Sequence, residues 1–168
     1  MAKTELHNYS VQEKLNKMDV DLITLTAVCN AEASEVATSL FQADEIANAV
    51  AIDGGTCILQ SVGLLDDDYH SQSIDLVFMD TTGLLDASDD GTVIDAADGV
   101  IPDAILGVVN ISNYFDGVAW SYGHKENIGL VLKAASGSRS IYVSAINRGA
   151  TKTWTASGLR LKLGIVKD

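Results

Sequence analysis

From Asp19 to Gly123 the sequence contains no lysine and no arginine, although 19 aspartates and glutamates fall in that stretch. Nucleic-acid binding needs many cationic contacts with phosphate, and so does adhesion to an anionic membrane. Neither partner is therefore expected. No run of about 18 apolar residues occurs, so no transmembrane helix is predicted. The opening MAKTELHNYSVQEKLNKMDVD is polar and lacks the apolar core of a secretory signal. Cysteine occurs twice, at Cys29 and Cys57, without metal-ligand spacing. Both read as free, buried small hydrophobes, as suits a protein assembled in a reducing cytoplasm. Spacing alone neither demands nor forbids a disulfide between them.

Catalytic signatures are also missing. The three histidines, His7, His70 and His124, form no H-x-x-x-H pair and read as solvated loop residues. There is no G-x-S-x-G, P-loop or G-x-G-x-x-G. No enzyme activity, metal or cofactor is expected.

What is present points to one domain of 168 residues, 47% apolar and 20% charged, long enough to bury a sizeable core. Charge is unevenly spread. Residues 1–18 hold three lysines and two acids, and residues 124–168 hold eight lysines or arginines against two acids. Opposed regions of this kind can complement copies of the same chain or an oppositely charged scaffold, unless folding intermixes them.

Residues 1–18 read as an arm that orders only against a partner: Tyr9, Val11, Leu15 and Met18 fall at loosely helical spacing, but the segment is short and polar, so an isolated helix would be marginal in water. Leu6, Tyr9, Val11 and Leu15 are its candidate contact residues. The body, 19–168, reads as strands. Val20–Val28, Thr56–Leu65, Ser73–Asp80, Ile105–Ile111 and Leu159–Val166 carry apolar, β-branched or alternating patterns. A turn of helix is expected within Ala31–Val50, followed by a strand edge near Ala47–Ile52, and a short aromatic strand over Gly117–Tyr122. Asp53–Gly55 and Asp66–Gln72 read as turns, and Ser136–Ser140 reads as a hairpin turn before the strand at Ile141. In Leu159–Val166 the leucines and Ile165 face one way, Arg160 and Lys162 the other. Strands this frequent, with little helical periodicity, predict an all-β antiparallel β-sandwich, jelly-roll-like, with a short N-terminal arm.

Asp86–Gly91, DASDDG, resembles the start of a calcium loop, but Ala97 stands where the closing glutamate belongs, so a solvated acidic loop is expected. Asp66, Asp67, Asp68 and Asp75 could supply paired acids for glycoside hydrolysis, yet loop acids are common. Tyr114, Phe115, Trp120, Tyr122, Tyr142 and Trp154 could form a sugar platform or pack in a core or interface.

The stretch NIGLVLKAASGSRSIYVSAINRG, followed by TWTASGLRLKLGIV, resembles small virion structural proteins of tailed bacteriophages, the head decoration or cement proteins. ADEIANAVAIDGGTCILQSVGLLDDDYHSQSIDLVFMD and AADGVIPDAILGVVNIS fit the same family, so the resemblance spans roughly Asp44–Val166. It implies a β-sandwich bound outside a capsid at junctions between capsomers, in several copies, with no reaction and no cofactor. The implied partners are the major capsid protein and copies of itself, a homotrimer ahead of a dimer. The implied location is the virion surface, after synthesis in the host bacterial cytoplasm. Arg139 and Arg148 would pair with acids of a neighbouring copy or the capsid, or else keep their own turn soluble and internally paired. A tail or head-fibre component and a carbohydrate-binding β-sandwich module are the competing readings.

Overall fold

The alternation of the last strand is realised as expected. Leu159, Leu161, Leu163 and Ile165 are fully buried, while Arg160 and Lys162 between them are exposed. A computed structural model describes residues 19–29, 33–34, 37–81 and 104–167. Its strands are β1 (Asp19–Thr26), β2 (Ala33–Ser34), β3 (Ser39–Ile46), β4 (Thr56–Asp66), β5 (Ile74–Met79) and β6 (Ile105–Ile111). They continue with β7 (Tyr114–Asp116), β8 (Ser121–Lys133), β9 (Ile141–Asn147), β10 (Lys152–Thr153) and β11 (Leu159–Lys167).

These strands form a larger sheet, β1-β11-β4-β8-β7, a smaller sheet, β3-β9-β5-β6, and a short β10-β2 ladder. Every ladder is antiparallel. The pairings nest: β1 with β11, β3 with β9, β4 with β8, and β5 with β6. One long two-stranded ribbon thus winds back and forth between the sheets, closed by the β11–β4 and β9–β5 pairings. That winding is a jelly roll. The protein is all-β among its described residues.

The inner faces form one core. It includes Leu59 and Leu64 of β4, Ile74, Leu76 and Phe78 of β5, and Ile141, Val143 and Ala145 of β9. Trp154, from the loop between β10 and β11, is fully buried in it. A second cluster of Val77, Met79, Ala104 and Ile146 lies on the other side of the smaller sheet. Both faces of β5 are thus apolar, apart from Asp75, and this explains the nearly unbroken apolar run from Ile74 to Met79.

Four expectations are corrected. The strand edge predicted at Ala47–Ile52 is a turn and bend; the strand is β3, just before it. Irregularities between Ser39 and Phe41, and again between Phe41 and Asp44, break its alternation and hide it from a period-2 reading. The described part of Ala31–Val50 is strand, turn and bend, with no helix. The aromatic strand expected at Gly117–Tyr122 begins only at Ser121, the first residue of β8; Gly117–Trp120 is a turn between β7 and β8, closed by Gly117 N donating to Trp120 O at 2.8 Å. The Trp120 ring folds over Gly117, where a Cβ would collide with it. Finally, Ser136–Ser140 is no hairpin: β8 and β9 belong to different sheets, so this segment is a corner between them. Gly137 turns the corner at φ 77°.

Asp66 organises the loop that follows β4. The residue is 1% exposed. Oδ1 accepts from the backbone N–H of Asp68 at 3.1 Å, and Oδ2 accepts from those of His70 at 2.7 Å and Ser71 at 3.0 Å. The Ser121 hydroxyl donates to Oδ2 at 3.4 Å. The same loop holds Tyr69 and Ser71 at φ 57° and 50°, conformations that cost a non-glycine residue about 1–3 kcal/mol each. The buried acceptor offsets that strain.

Both cysteines are free and buried. Burial pushes the Cys29 thiol up to about 12 and the Cys57 thiol up to about 11.

Two outcomes are expected. Asp66→Ala leaves three backbone N–H groups unsatisfied and lowers unfolding free energy by about 2–4 kcal/mol, whereas Asp67→Ala, which loses one exposed ion pair, costs under about 1 kcal/mol. Urea titration of both variants checks this, and equal losses would remove Asp66 from its organising role. Folding raises both thiol pKa values, so their contribution to stability is whole below the ordinary value of 9.0 and fades as pH climbs towards 11–12. At pH 8 neither thiol of the native protein should react with a maleimide, and both should react in denaturant. Rapid native labelling would contradict the burial of these side chains.

Candidate functional site

Of the residues proposed from sequence as partner contacts, Leu6, Tyr9, Val11 and Leu15 lie outside the described residues. Arg139 and Arg148 are described, and both are exposed. They do not form one patch, because the whole of β9 separates them. Arg148 Nε donates to Asp75 Oδ2 at 2.7 Å, which neutralises it within the chain. Arg139 Nε donates to the Val50 carbonyl at 3.3 Å, and the Val50 N–H donates back to the Arg139 carbonyl at 3.2 Å. Arg139 therefore fastens the β3–β4 loop to the β8–β9 corner, and its guanidinium charge meets no acid among the described residues.

Folding does intermix the charged regions. Arg148 meets Asp75, Arg160 meets Asp67 at 2.7 Å, and Lys167 meets Asp21. Each ion pair joins a C-terminal cation to an acid of the cation-free stretch. Lys125 and Lys162 have no acid partner among the described residues.

The acids once considered for glycoside hydrolysis are engaged in the fold. Asp66 holds its loop, Asp67 pairs with Arg160, and Asp75 takes Arg148 and the Asn110 side chain. Asp68 accepts from the Thr155 N–H at 2.7 Å and from its hydroxyl. His70 is half-buried rather than solvated: Nε2 lies 2.8 Å from the Thr153 carbonyl, and the ring meets Trp154 edge-on with centroids 5.0 Å apart. No group of three His, Cys, Asp or Glu side chains that could hold a metal occurs among the described residues. The calcium-like segment Asp86–Gly91 lies outside them.

The aromatics divide. Trp154 belongs to the core, Tyr142 packs on the second cluster, and Tyr114 packs against the main core with its phenol pushed up by burial and, secondarily, by Asp66. Phe115 and Trp120 remain at the surface, with centroids 5.9 Å apart, and Trp120 is 40% exposed. Val118, at the tip of the same turn, is 98% exposed. Phe115 lies opposite Tyr122 in the β7–β8 ladder, and the Tyr122 ring stacks on His124. An aromatic ridge thus runs from the turn along the outer face of β8. Tyr122 leans across Gly63, which has no Cβ to block it. Beside it Leu22, Ser61, Tyr122, Glu126 and Lys162 border a cleft of about 180 Å³.

The outer face of the larger sheet carries an apolar row across its ladders, Val20–Val166–Ile58–Val131. Val20 and Val131 at its ends are largely exposed, as is Leu22 beside Val20. Sequence alternation pointed to these faces, but only the register shows that distant valines and isoleucines line up.

No protein-family model matches the chain, and no curated protein matches it in sequence. Among solved structures it is similar to a chain of tomato aspermy virus, with 6% identity and a TM-score of 0.42 over 98% of this chain and 93% of that one. It is similar to a chain of Desmodium yellow mottle tymovirus, with 12% identity and a TM-score of 0.28 over 90% and 81%. It is also similar to the K3 cleaved adhesin domain of Lys-gingipain from Porphyromonas gingivalis W83, with 12% identity and a TM-score of 0.30 over 86% and 72%. TM-scores of 0.42 and lower describe loose likenesses, and these identities carry no shared chemistry to this chain.

Proposed function

We propose that this chain is a structural protein of a phage virion that decorates the capsid exterior and stabilises it by non-covalent binding at capsomer junctions. Residues 1–18 are its arm and residues 19–168 its body. The observation that carries the reading is apolar side chains left in water on a rigid sandwich: Val20, Leu22, Phe115, Val118 and Val131. Exposed apolar groups of this sort, here at both edges of the larger sheet, mark contact with other macromolecules. The sequence resemblance to head decoration proteins supports the choice of partner, the major capsid protein. The engagement of Asp66, Asp67, Asp68 and Asp75 in holding the fold fits a body built for contact rather than chemistry.

Binding energy in such a role comes from apolar burial, and a copy that touches two or more capsomers gains from effective concentration. Charged residues at the rim tune rate and register. Arg139, which lacks an acidic partner among the described residues, is better placed for this than Arg148. Self-association belongs to the same reading, with a trimer suiting three-fold junctions and a dimer suiting two-fold ones.

A second reading, a carbohydrate-binding module, is favoured by one observation, the exposed Trp120 beside Phe115. A tail or head-fibre component differs from a decoration protein in copy number alone.

Purified particles test these readings. A decoration protein is present at a copy number comparable to the capsomers, and a tail component at a few copies. Arg139→Glu should lower particle occupancy, and the loss should shrink as salt rises, while the thermal midpoint of the isolated protein falls by no more than about 2–4 °C, the cost of one side-chain hydrogen bond. Full occupancy of the variant at every salt concentration would remove Arg139 from the interface. Saccharide binding that vanishes in Trp120→Ala, without particle binding, would replace the decoration reading by the carbohydrate one.

A further inference from the structure

An open sheet edge carries a row of backbone donors and acceptors and is blunted, in most folds, by lysine, proline, bulges or shortness. β1 has none of these. It is eight residues long, pairs with β11 in unbroken register from Asp19 to Thr26, and reads DVDLITLT. Among the described residues no strand lies on its other side. Each of its faces carries apolar side chains: Val20 and Leu22, beside Thr24 and Thr26 on the outer face, are 68% and 70% exposed, and Ile23 and Leu25 on the inner face, beside Asp21, are only partly covered. An edge strand facing water ordinarily has one polar face.

We infer that the free edge of β1 accepts, as an added strand, the N-terminal arm of a second copy of this chain. The inference rests on the reading of residues 1–18 as a partner-binding arm and names its partner. Three observations favour this occupant. First, Tyr9, Val11 and Leu15 fall at odd positions, together with Glu13, and Ser10, Gln12 and Lys14 fall between them. Extended, the segment presents one mainly apolar face and one polar face. Second, the charges are compatible. β1 carries Asp19 and Asp21 and no cation, with Asp21 already paired to Lys167 of β11, and the arm carries Lys14 and Lys17 beside Glu13. Antiparallel addition that sets Leu15 beside Val20 also sets Lys14 beside Asp21, Val11 beside Thr24 and Tyr9 beside Thr26. It brings no acid opposite an acid. Third, the chain is already extended at Asp19, where it pairs with Lys167. A short hairpin back onto its own β1 would have to turn within Asn16–Met18, which lacks the glycine that such turns favour. Eighteen residues span about 60 Å when extended, enough to reach the edge of a neighbour.

Strand addition supplies backbone hydrogen bonds for affinity, and the alternate side chains set the register. Each copy gives an arm and receives one, so the exchange closes into a dimer or a ring.

Single-cysteine crosslinking on the full chain tests this. Leu15→Cys and Val20→Cys proteins are purified separately, mixed and mildly oxidised, with the buried native cysteines left in place. A disulfide-linked species of twice the chain mass, built from one of each, is the expected result. Leu22→Glu, which in this register sets an acid directly opposite Glu13 of the arm, should raise the concentration needed for self-association about tenfold without loss of fold by circular dichroism. Three results would each overturn the inference: no mixed crosslink, a disulfide formed only within one chain of the double variant, or self-association unchanged by Leu22→Glu. If the crosslink fails while wild-type protein still saturates particles, the decoration reading stands and the arm grips something else. If the crosslink forms and particles stay bare, the arm exchange stands and the decoration reading falls.

Discussion

The sandwich depends on the pairing of its first and last strands. β11 lies between β1 and β4, and it is the only described strand that β1 meets. Its inward residues, Leu159, Leu161, Leu163 and Ile165, fill the centre of the core. Each buried aliphatic side chain of this kind is worth about 1.5–3 kcal/mol. Until β11 is in place, β1 has no ladder. The outermost pairing of the ribbon also closes the longest loop in the chain, which is slow to form because its entropy is lost before the contacts reward it. The inner pairings, β5 with β6 and β4 with β8, close shorter loops. A winding that forms from its tip outward leaves β1 with one side free, and the proposed arm exchange uses that side.

Much of this was legible from residue order. Strands whose inner residues alternate cleanly, such as β11, declared themselves, and so did β4 with its turn at Asp53–Gly55. β5 was readable although it is apolar on both faces, because its boundaries are sharp. The misreadings have physical causes. β3 carries two irregularities, so its buried residues Leu40, Phe41 and Ile46 do not fall at even spacing. The β8–β9 segment looks like a hairpin because a glycine corner between sheets uses the same residues as a turn within one. β8 itself is longer than its apolar part. Its first half, with His124, Lys125 and Glu126, is polar and exposed, and it is held in the sheet by pairing to β4 rather than by its own side chains.

The candidate surface was less legible than the core for a related reason. A core residue is recognised by its neighbours in sequence, whereas the row Val20–Val166–Ile58–Val131 exists only because four distant strands share a register. The ridge at Phe115 and Trp120 was visible as a cluster of aromatics, but sequence could not separate it from Trp154, which is buried. Trp154 lies in a loop, and nothing in TKTWTASG shows that the loop folds inward. His70, edge-on against that ring, and the acids of the β4–β5 loop hold it in place.

The uneven charge along the chain is largely spent inside each copy. Arg148, Arg160 and Lys167 pair with Asp75, Asp67 and Asp21, and exposed pairs of this kind contribute at most about 1 kcal/mol each to stability. Their larger effect is on topology: each joins a late strand or its flank to an earlier one and disfavours slipped registers that would set acids against acids. What remains after pairing is an acidic body. Repulsion between such bodies opposes broad face-to-face packing and favours contact through narrow, locally neutral elements. The β1 edge, with Lys167 beside Asp21, is one such element, and a lysine-bearing arm is the part of this chain best suited to reach it.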